Sequence, residues 1–162
     1  MRILAIVGLG ILMVYSGGCA KLLRGETQTM KFDSEPQGAW VRVGANEVTT
    51  PGEVKLQRKD KYEVTVSKSG YRTIVFEMVA QWDGASLGNM AMPGGSIGLA
   101  TDTATGSDRS FYKIEKIKLH AATDPNTPPL KLIHYRGKLY TDEDYKKVQE
   151  DERRYREWYF ED

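Results

Sequence analysis

The stretch Tyr62-Glu63-Val64-Thr65-Val66-Ser67-Lys68-Ser69-Gly70-Tyr71 decides the fold. Tyr62, Val64 and Val66 alternate with Glu63, Thr65 and Ser67, and a period of two with one apolar side is the pattern of a half-buried strand. Ser69-Gly70 then closes a turn, because glycine reaches the positive φ that tight turns demand. The segment from Tyr71 to Val79 is expected to return beside the first strand. Towards the N-terminus, Ala39, Val41 and Val43 alternate with Trp40 and Arg42, and Thr27 to Phe32 alternates weakly. Gly44-Ala45-Asn46, Pro51-Gly52 and Lys59-Asp60-Lys61 are turn signals, with Val54-Lys55-Leu56 as a brief strand between the last two. Short strands at this spacing predict a small antiparallel β-sandwich of about five strands.

These residues carry a resemblance. Ser34-Glu35-Pro36-Gln37-Gly38-Ala39-Trp40-Val41, Thr50-Pro51-Gly52 and the run from Tyr62 to Tyr71 resemble the PEGA domain, a small β-sandwich module of bacterial and archaeal envelope proteins. Gln37 stands where the name-giving motif has glutamate, and Val48 where a second glycine is usual. The resemblance implies an extracytoplasmic structural or interaction module without catalytic residues of its own.

The N-terminal segment points to the same compartment. Arg2 precedes an apolar run from Ile3 to Tyr15, and Ser16-Gly17-Gly18 leads into Cys19, the one cysteine of the chain. A cation, about a dozen apolar residues and small residues at a cut compose an export signal, and the run is short of the roughly 20 apolar residues a spanning helix needs. Gly17-Gly18-Cys19 is similar to the lipobox of bacterial lipoproteins, with Ser16 where an aliphatic residue is usual. The resemblance implies a signal peptide over residues 1–18, acylation at Cys19 with palmitate-type chains and a tether over 19–25. Ala20 in place of an aspartate implies sorting to the outer membrane, facing the periplasm. An uncleaved anchor and an ordinary secretory signal are the alternatives. Loss of residues 1–18 would remove Arg2 from the 23 Lys+Arg and none of the 22 Asp+Glu. That balance lacks the basic excess of a nucleic-acid binder.

After Trp82 the composition changes. Gly84, Gly88, Gly94, Gly95, Gly98 and Gly106 lie among alanine, serine and threonine, which defines a glycine-rich insertion over 84–109 within a β-rich region of 26–122. If residues 94–106 are helical, Gly94, Gly98, Asp102 and Gly106 line one face, and such a stripe admits another backbone closely. Three readings stand: a helix packed on its own domain, a membrane-associated or self-associating helix, and a loop. Phe111 to Leu119 is expected to return as a strand of the sheet. Pro125, Pro128 and Pro129 then mark a linker, which with an extended arm from Leu130 to Tyr140 accounts for residues 123–140.

A C-terminal helix over 141–162 is well signalled. Thr141 can cap it, and Asp142, Glu143 and Asp144 place negative charge at the positive end of its dipole. Tyr145, Val148, Tyr155 and Tyr159 recur at helical spacing, with Trp158 and Phe160 beside them, and Glu150–Arg154 and Glu152–Arg156 are candidate i,i+4 pairs. The aromatic edge serves either to dock the helix on its own domain or to bind a partner.

The expected fold class is therefore mainly β with added helices, α+β. His120 and His134 have no further ligand at metal spacing, and no nucleophile elbow, phosphate loop or zinc-protease motif occurs. No enzyme activity, metal or cofactor is expected. The function these readings imply is a non-enzymatic envelope lipoprotein that meets the membrane through its lipid anchor and binds peptidoglycan or an envelope protein. Trp40, Tyr62 and Tyr71 are the candidate contacts. A periplasmic hydrolase or sugar-modifying enzyme, and a protein self-assembling through its glycine-rich helix, are the alternatives.

Overall fold

The structure, a computed structural model, describes residues 25–82, 103–122, 124 and 126–160. The signal segment, Cys19, Gly94, Gly98 and Asp102 lie outside the described residues. Twelve strands and a C-terminal helix are laid out among them, so the α+β class holds. The strands are β1 (Thr27–Phe32), β2 (Ser34–Glu35), β3 (Trp40–Val43), β4 (Asn46–Thr49), β5 (Gly52–Gln57), β6 (Lys61–Ser67), β7 (Ile74–Val79), β8 (Gln81–Trp82), β9 (Arg109–Ser110), β10 (Ile117–Lys118), β11 (Leu130–Tyr135) and β12 (Lys138–Tyr140), and the helix is α1 (Asp142–Phe160). Contacts divide the chain into two compact units, with boundaries falling inside β1, β5 and β7.

The larger unit holds residues 30–54, 61–78 and 112–162. Its main sheet has six strands in the order β12-β11-β7-β6-β3-β4. Ala39, Val41, Val43, Val64, Val66, Ile74, Phe76 and Met78 are buried, as the alternation requires, while Trp40 and Arg42 face out. Val43 pairs with Asn46 across a two-residue loop, and Gly44 there has φ +57°, the first central position of a type II′ turn. Gly70, at φ +79°, occupies the third position of the Lys68–Tyr71 turn, closed by Tyr71 N–H donating to Lys68 O at 3.0 Å.

Two expectations fail after β9. Residues 111–119 do not form one strand: the buried residues Phe111, Ile114 and Ile117 are spaced by three, which no two-residue alternation can put on one face. Only Ile117–Lys118 pairs, in parallel with Ser34–Glu35. Leu130 to Tyr140 is no extended arm. It folds into the β11–β12 hairpin, and β11 joins β7 in parallel, with Leu130 beside Ile74 and Ile133 beside Glu77. Its turn is Arg136-Gly137, both with positive φ (49° and 88°), a type I′ turn that carries arginine where asparagine is commoner. The long connection from β7 to β11 is what a parallel pairing requires, and a proline-rich segment supplies its end. The sheet is thus mixed, not wholly antiparallel.

Helix α1 starts as its sequence dictates. Thr141 Oγ1 accepts from Asp144 N–H at 3.2 Å and donates to Asp144 Oδ2 at 2.8 Å. The expected i,i+4 pairs give way to others: Arg154 meets Asp151 at 2.9 Å, and Glu152 turns to the hairpin, where it accepts from Arg136 at 2.8 Å and from the Tyr135 hydroxyl at 3.0 Å. A partner on the sheet outcompetes one on the helix surface because its position is already fixed, so less side-chain freedom is lost.

The smaller unit gathers, among the described residues, 25–29, 55–60, 79–82 and 103–111. The Arg58 side chain is buried, and Nε donates to Thr27 O at 3.2 Å while Nη1 donates to Arg109 O at 2.7 Å and Ser110 Oγ at 2.8 Å. The Gln28 amide both donates to and accepts from the Phe111 backbone, each at 2.9 Å. β8 and β9 pair antiparallel and bring the two flanks of the glycine-rich segment together. Residues 103–105 are helical, but Gly106 is not on their face. It sits in the following turn at φ +75°, where an added Cβ would meet the Lys59 backbone nitrogen at 2.6 Å. Another backbone does approach this glycine, at a turn and not along a helix stripe.

Candidate functional site

An exposed surface at one end of the six-stranded sheet is built on a buried polar knot. Ser34 Oγ donates to Pro36 O at 2.8 Å, and Thr50 Oγ1 accepts from Ala39 N–H at 2.9 Å. Each hydroxyl has one proton, so the 2.6 Å contact between them is Thr50 donating to Ser34. Backbone bonds close the knot: Gly38 N–H to Thr50 O at 2.8 Å and Thr50 N–H to Ala39 O at 2.9 Å. Gly38 accepts the bend at φ +78°. The loop before β3 is pinned, and Trp40, the first residue after it, has its ring aimed outward by the strand alternation.

Trp40 is 50 % exposed and pairs with Ser67 and Thr49 on the neighbouring strands. Gly38, Trp40, Ser67, Lys68 and Ser69 line a cleft of about 520 Å³. The Lys68 ammonium donates to Gly38 O at 3.3 Å, which holds a cation beside the indole. On the other side of Ser69 a second cleft, of about 360 Å³, is lined by Gly70, Tyr71, Arg72, Thr73, Ala122, Asp124 and Thr127. Its walls are tied together by Arg72 N–H to His120 O at 2.8 Å, Ala122 N–H to Gly70 O at 2.9 Å and Arg72 Nε to Pro128 O at 2.7 Å. The two clefts meet at Ser69 and together offer an indole, a phenol, two cations and a carboxylate.

Of the three contacts expected from sequence, the structure brings Trp40 and Tyr71 to these adjoining clefts and sends Tyr62 elsewhere. Tyr62 shares the parity of Val64 and Val66, so it lies on the core side of β6, at the opposite end of the strand from Ser67. Its ring packs over the Gly44 turn, within 3.3 Å of where a Cβ would stand. Sequence reasoning missed Lys68, Arg72 and Asp124. The first two are flagged only by flanking the Ser69-Gly70 turn, and Asp124 by nothing local.

The histidines do not form a site. His120 is exposed, and His134 lies against the Phe76 ring, centroids 6.0 Å apart, with Nε2 buried and without a hydrogen-bond partner. Burial pushes its pKa below the usual imidazole value. Among the described residues no group of three or more His, Cys, Asp or Glu could hold a metal ion. None of the described helices is long and apolar enough to cross a membrane. Tyr135 has its pKa raised, first by desolvation and then by its bond to Glu152.

Compared with known families, residues 27–81 match the PEGA domain, so this chain carries a PEGA domain. The match runs from β1 to β8 and contains the polar knot, Trp40 and Tyr71. No curated protein and no solved structure matches the chain.

Proposed function

We propose that the protein is a non-enzymatic envelope lipoprotein, tethered through Cys19, whose PEGA domain binds a cell-wall or envelope-protein partner at the paired clefts around Ser69. The observation that carries this reading is the half-exposed Trp40 held by a buried hydrogen-bonded loop beside Lys68, with Tyr71 across the same turn. A large exposed aromatic on a rigid strand loses little freedom when it is covered, which makes it an efficient anchor. The signal-like segment and Cys19 support the compartment, and the balance of 22 Lys+Arg with 22 Asp+Glu after cleavage favours a neutral or mixed-charge partner over nucleic acid.

Sedimentation of the purified protein with peptidoglycan sacculi, and cross-linking in intact cells from position 40, test the reading together. Saturable binding to sacculi or one reproducible protein adduct, lost in Trp40→Ala and Lys68→Ala, is the expected result. Release of soluble fragments from the sacculi would replace the binding module by an enzyme. Intact mass of the membrane-extracted protein reads the tether independently: an unmodified Cys19 removes it.

A further inference from the structure

Helix α1 changes character at Glu152. Tyr145, Val148 and Glu152 lie on one helix face, at the i, i+3, i+7 spacing, and are the partly buried residues of α1 from Asp142 to Tyr159. Tyr145 packs edge-on against Tyr135 at 5.4 Å and near Tyr140 at 6.5 Å, and Glu152 bonds to Tyr135 and Arg136 at the hairpin tip. Every residue from Arg153 to Tyr159 is exposed. The helix therefore runs on past the hairpin that supports it, by roughly 12 Å at about 1.5 Å per residue.

The apolar line does not stop where the support does. Tyr155 is 62 % exposed, Trp158 74 % and Tyr159 61 %, and they occupy the i, i+3 and i+4 positions of one face. Tyr155 and Tyr159 stack at 5.6 Å with rings 27° apart, and Trp158 meets Tyr159 edge-on at 5.9 Å. At about 100° per residue, Arg156 lies roughly a quarter-turn to one side of this face and Arg154 the same to the other, while Glu150 and Glu157 lie behind it. The aromatic face is bracketed by arginines, those two acids point away from it, and Asp151, one turn before Tyr155 on the same face, is paired with Arg154.

We propose that this protruding end of α1 is a shallow membrane-contact site for phospholipid headgroups: Tyr155, Trp158 and Tyr159 enter the headgroup layer, and Arg154 and Arg156 reach lipid phosphates from both flanks. The proposal rests on the lipid-tether reading for one thing, a bilayer close at hand. The residue types select the occupant. Tryptophan and tyrosine, with an apolar body and a polar edge, settle at the membrane interface, and no aliphatic residue accompanies them between Arg153 and Tyr159. Arginine stems lie along apolar surface while the guanidinium stays with polar groups. The size of the patch selects against a protein. Three aromatic side chains offer at most about 750 Å² at roughly 250 Å² each, and these are already partly covered, whereas a standard protein interface takes about 800 Å² from each partner. A second copy would bring a patch of the same small size with arginines at the same flanks. A tethered chain needs only a weak added contact, because the first attachment raises the local concentration of the second. The Arg154–Asp151 pair at 2.9 Å is exposed, so a phosphate can displace the carboxylate at little cost.

The test uses the full chain with Trp40→Phe and Trp82→Phe, which leaves Trp158 as its tryptophan, reconstituted with vesicles of equal parts phosphatidylethanolamine and phosphatidylglycerol. Trp158 emission is expected to move to the blue, and brominated phospholipids to quench it. Combining Tyr155→Ser with Tyr159→Ser, or Arg154→Gln with Arg156→Gln, is expected to weaken this headgroup contact about tenfold. Protein that floats with the vesicles while Trp158 stays water-exposed and unquenched overturns the contact and leaves the tether in place. A photo-cross-link from position 158 to a single protein, without lipid quenching, overturns it in favour of a protein groove. Quenching in a chain whose intact mass shows Cys19 unmodified upholds the contact and removes the tether.

Discussion

The Trp40 loop and the end of α1 both present aromatic rings to solvent, by opposite means. Before β3, five hydrogen bonds among Ser34, Pro36, Gly38, Ala39 and Thr50 fix the backbone within a sheet, and one indole stands out from it. Beyond Glu152, three rings stand 61–74 % exposed on the projecting end of a helix. The difference teaches that exposure has two meanings. On a rigid scaffold it marks a surface of set shape, suited to a particular ligand. On a projecting helix it marks an edge that tolerates a soft and variable neighbour.

The largest effect that separates the two regions is expected at Thr50. Thr50→Val keeps the shape but leaves Ser34 without its donor and the Ala39 N–H without an acceptor, both buried, at a cost of about 3 kcal/mol. Urea unfolding should show the loss, with no change in the helicity of α1 short of global unfolding. Next comes the hairpin that carries the helix. Gly137 has φ +88°, and a Cβ there would stand 2.6 Å from Lys113 O, so Gly137→Ala should cost about 2 kcal/mol by the same measurement.

A smaller effect follows from pH. His134 has its folded pKa lowered by burial, so the unfolded chain takes up a proton first. Stability is full above about pH 6.5, falls as pH drops below that unfolded value, and levels off below the folded pKa. His134→Leu should remove that part of the pH dependence, and an unchanged profile would place its origin elsewhere. The smallest effect is expected at the helix end: Trp158→Ser should change unfolding stability by no more than about 0.5 kcal/mol, since its ring is 74 % exposed and meets Tyr155 and Tyr159 on the same helix end. A larger loss would show that the ring supports the fold, and would erase the contrast.

The sequence made the β-rich half legible because its strands alternate and its turns carry glycine or proline at the positions their dihedrals need. Ala39 to Val43 and Tyr62 to Ser67 could be assigned faces from parity alone. The placement of Trp40 came from the same rule, whereas that of Tyr62 was legible and overlooked, since it shares the parity of Val64 and Val66. The C-terminal part resisted for another reason. Whether Leu130 to Tyr135 is an arm or a strand depends on β7, more than fifty residues earlier at Ile74, and no local pattern encodes a partner so distant. The spacing of Phe111, Ile114 and Ile117 was visible, but composition outweighed period in reading it as a strand. The end of α1 was ambiguous in principle. A line of aromatics at helical spacing has the same sequence signature whether a hairpin covers all of it or only the first half.

The parallel seam between β7 and β11 sets an order of events during synthesis. Until residues 130–133 emerge, the outer margin of β7 from Ile74 to Glu77 has no neighbour to bond, although β6, on its inner side, is already made. Nascent chains thus carry an open, adhesive border for the time needed to make some fifty further residues.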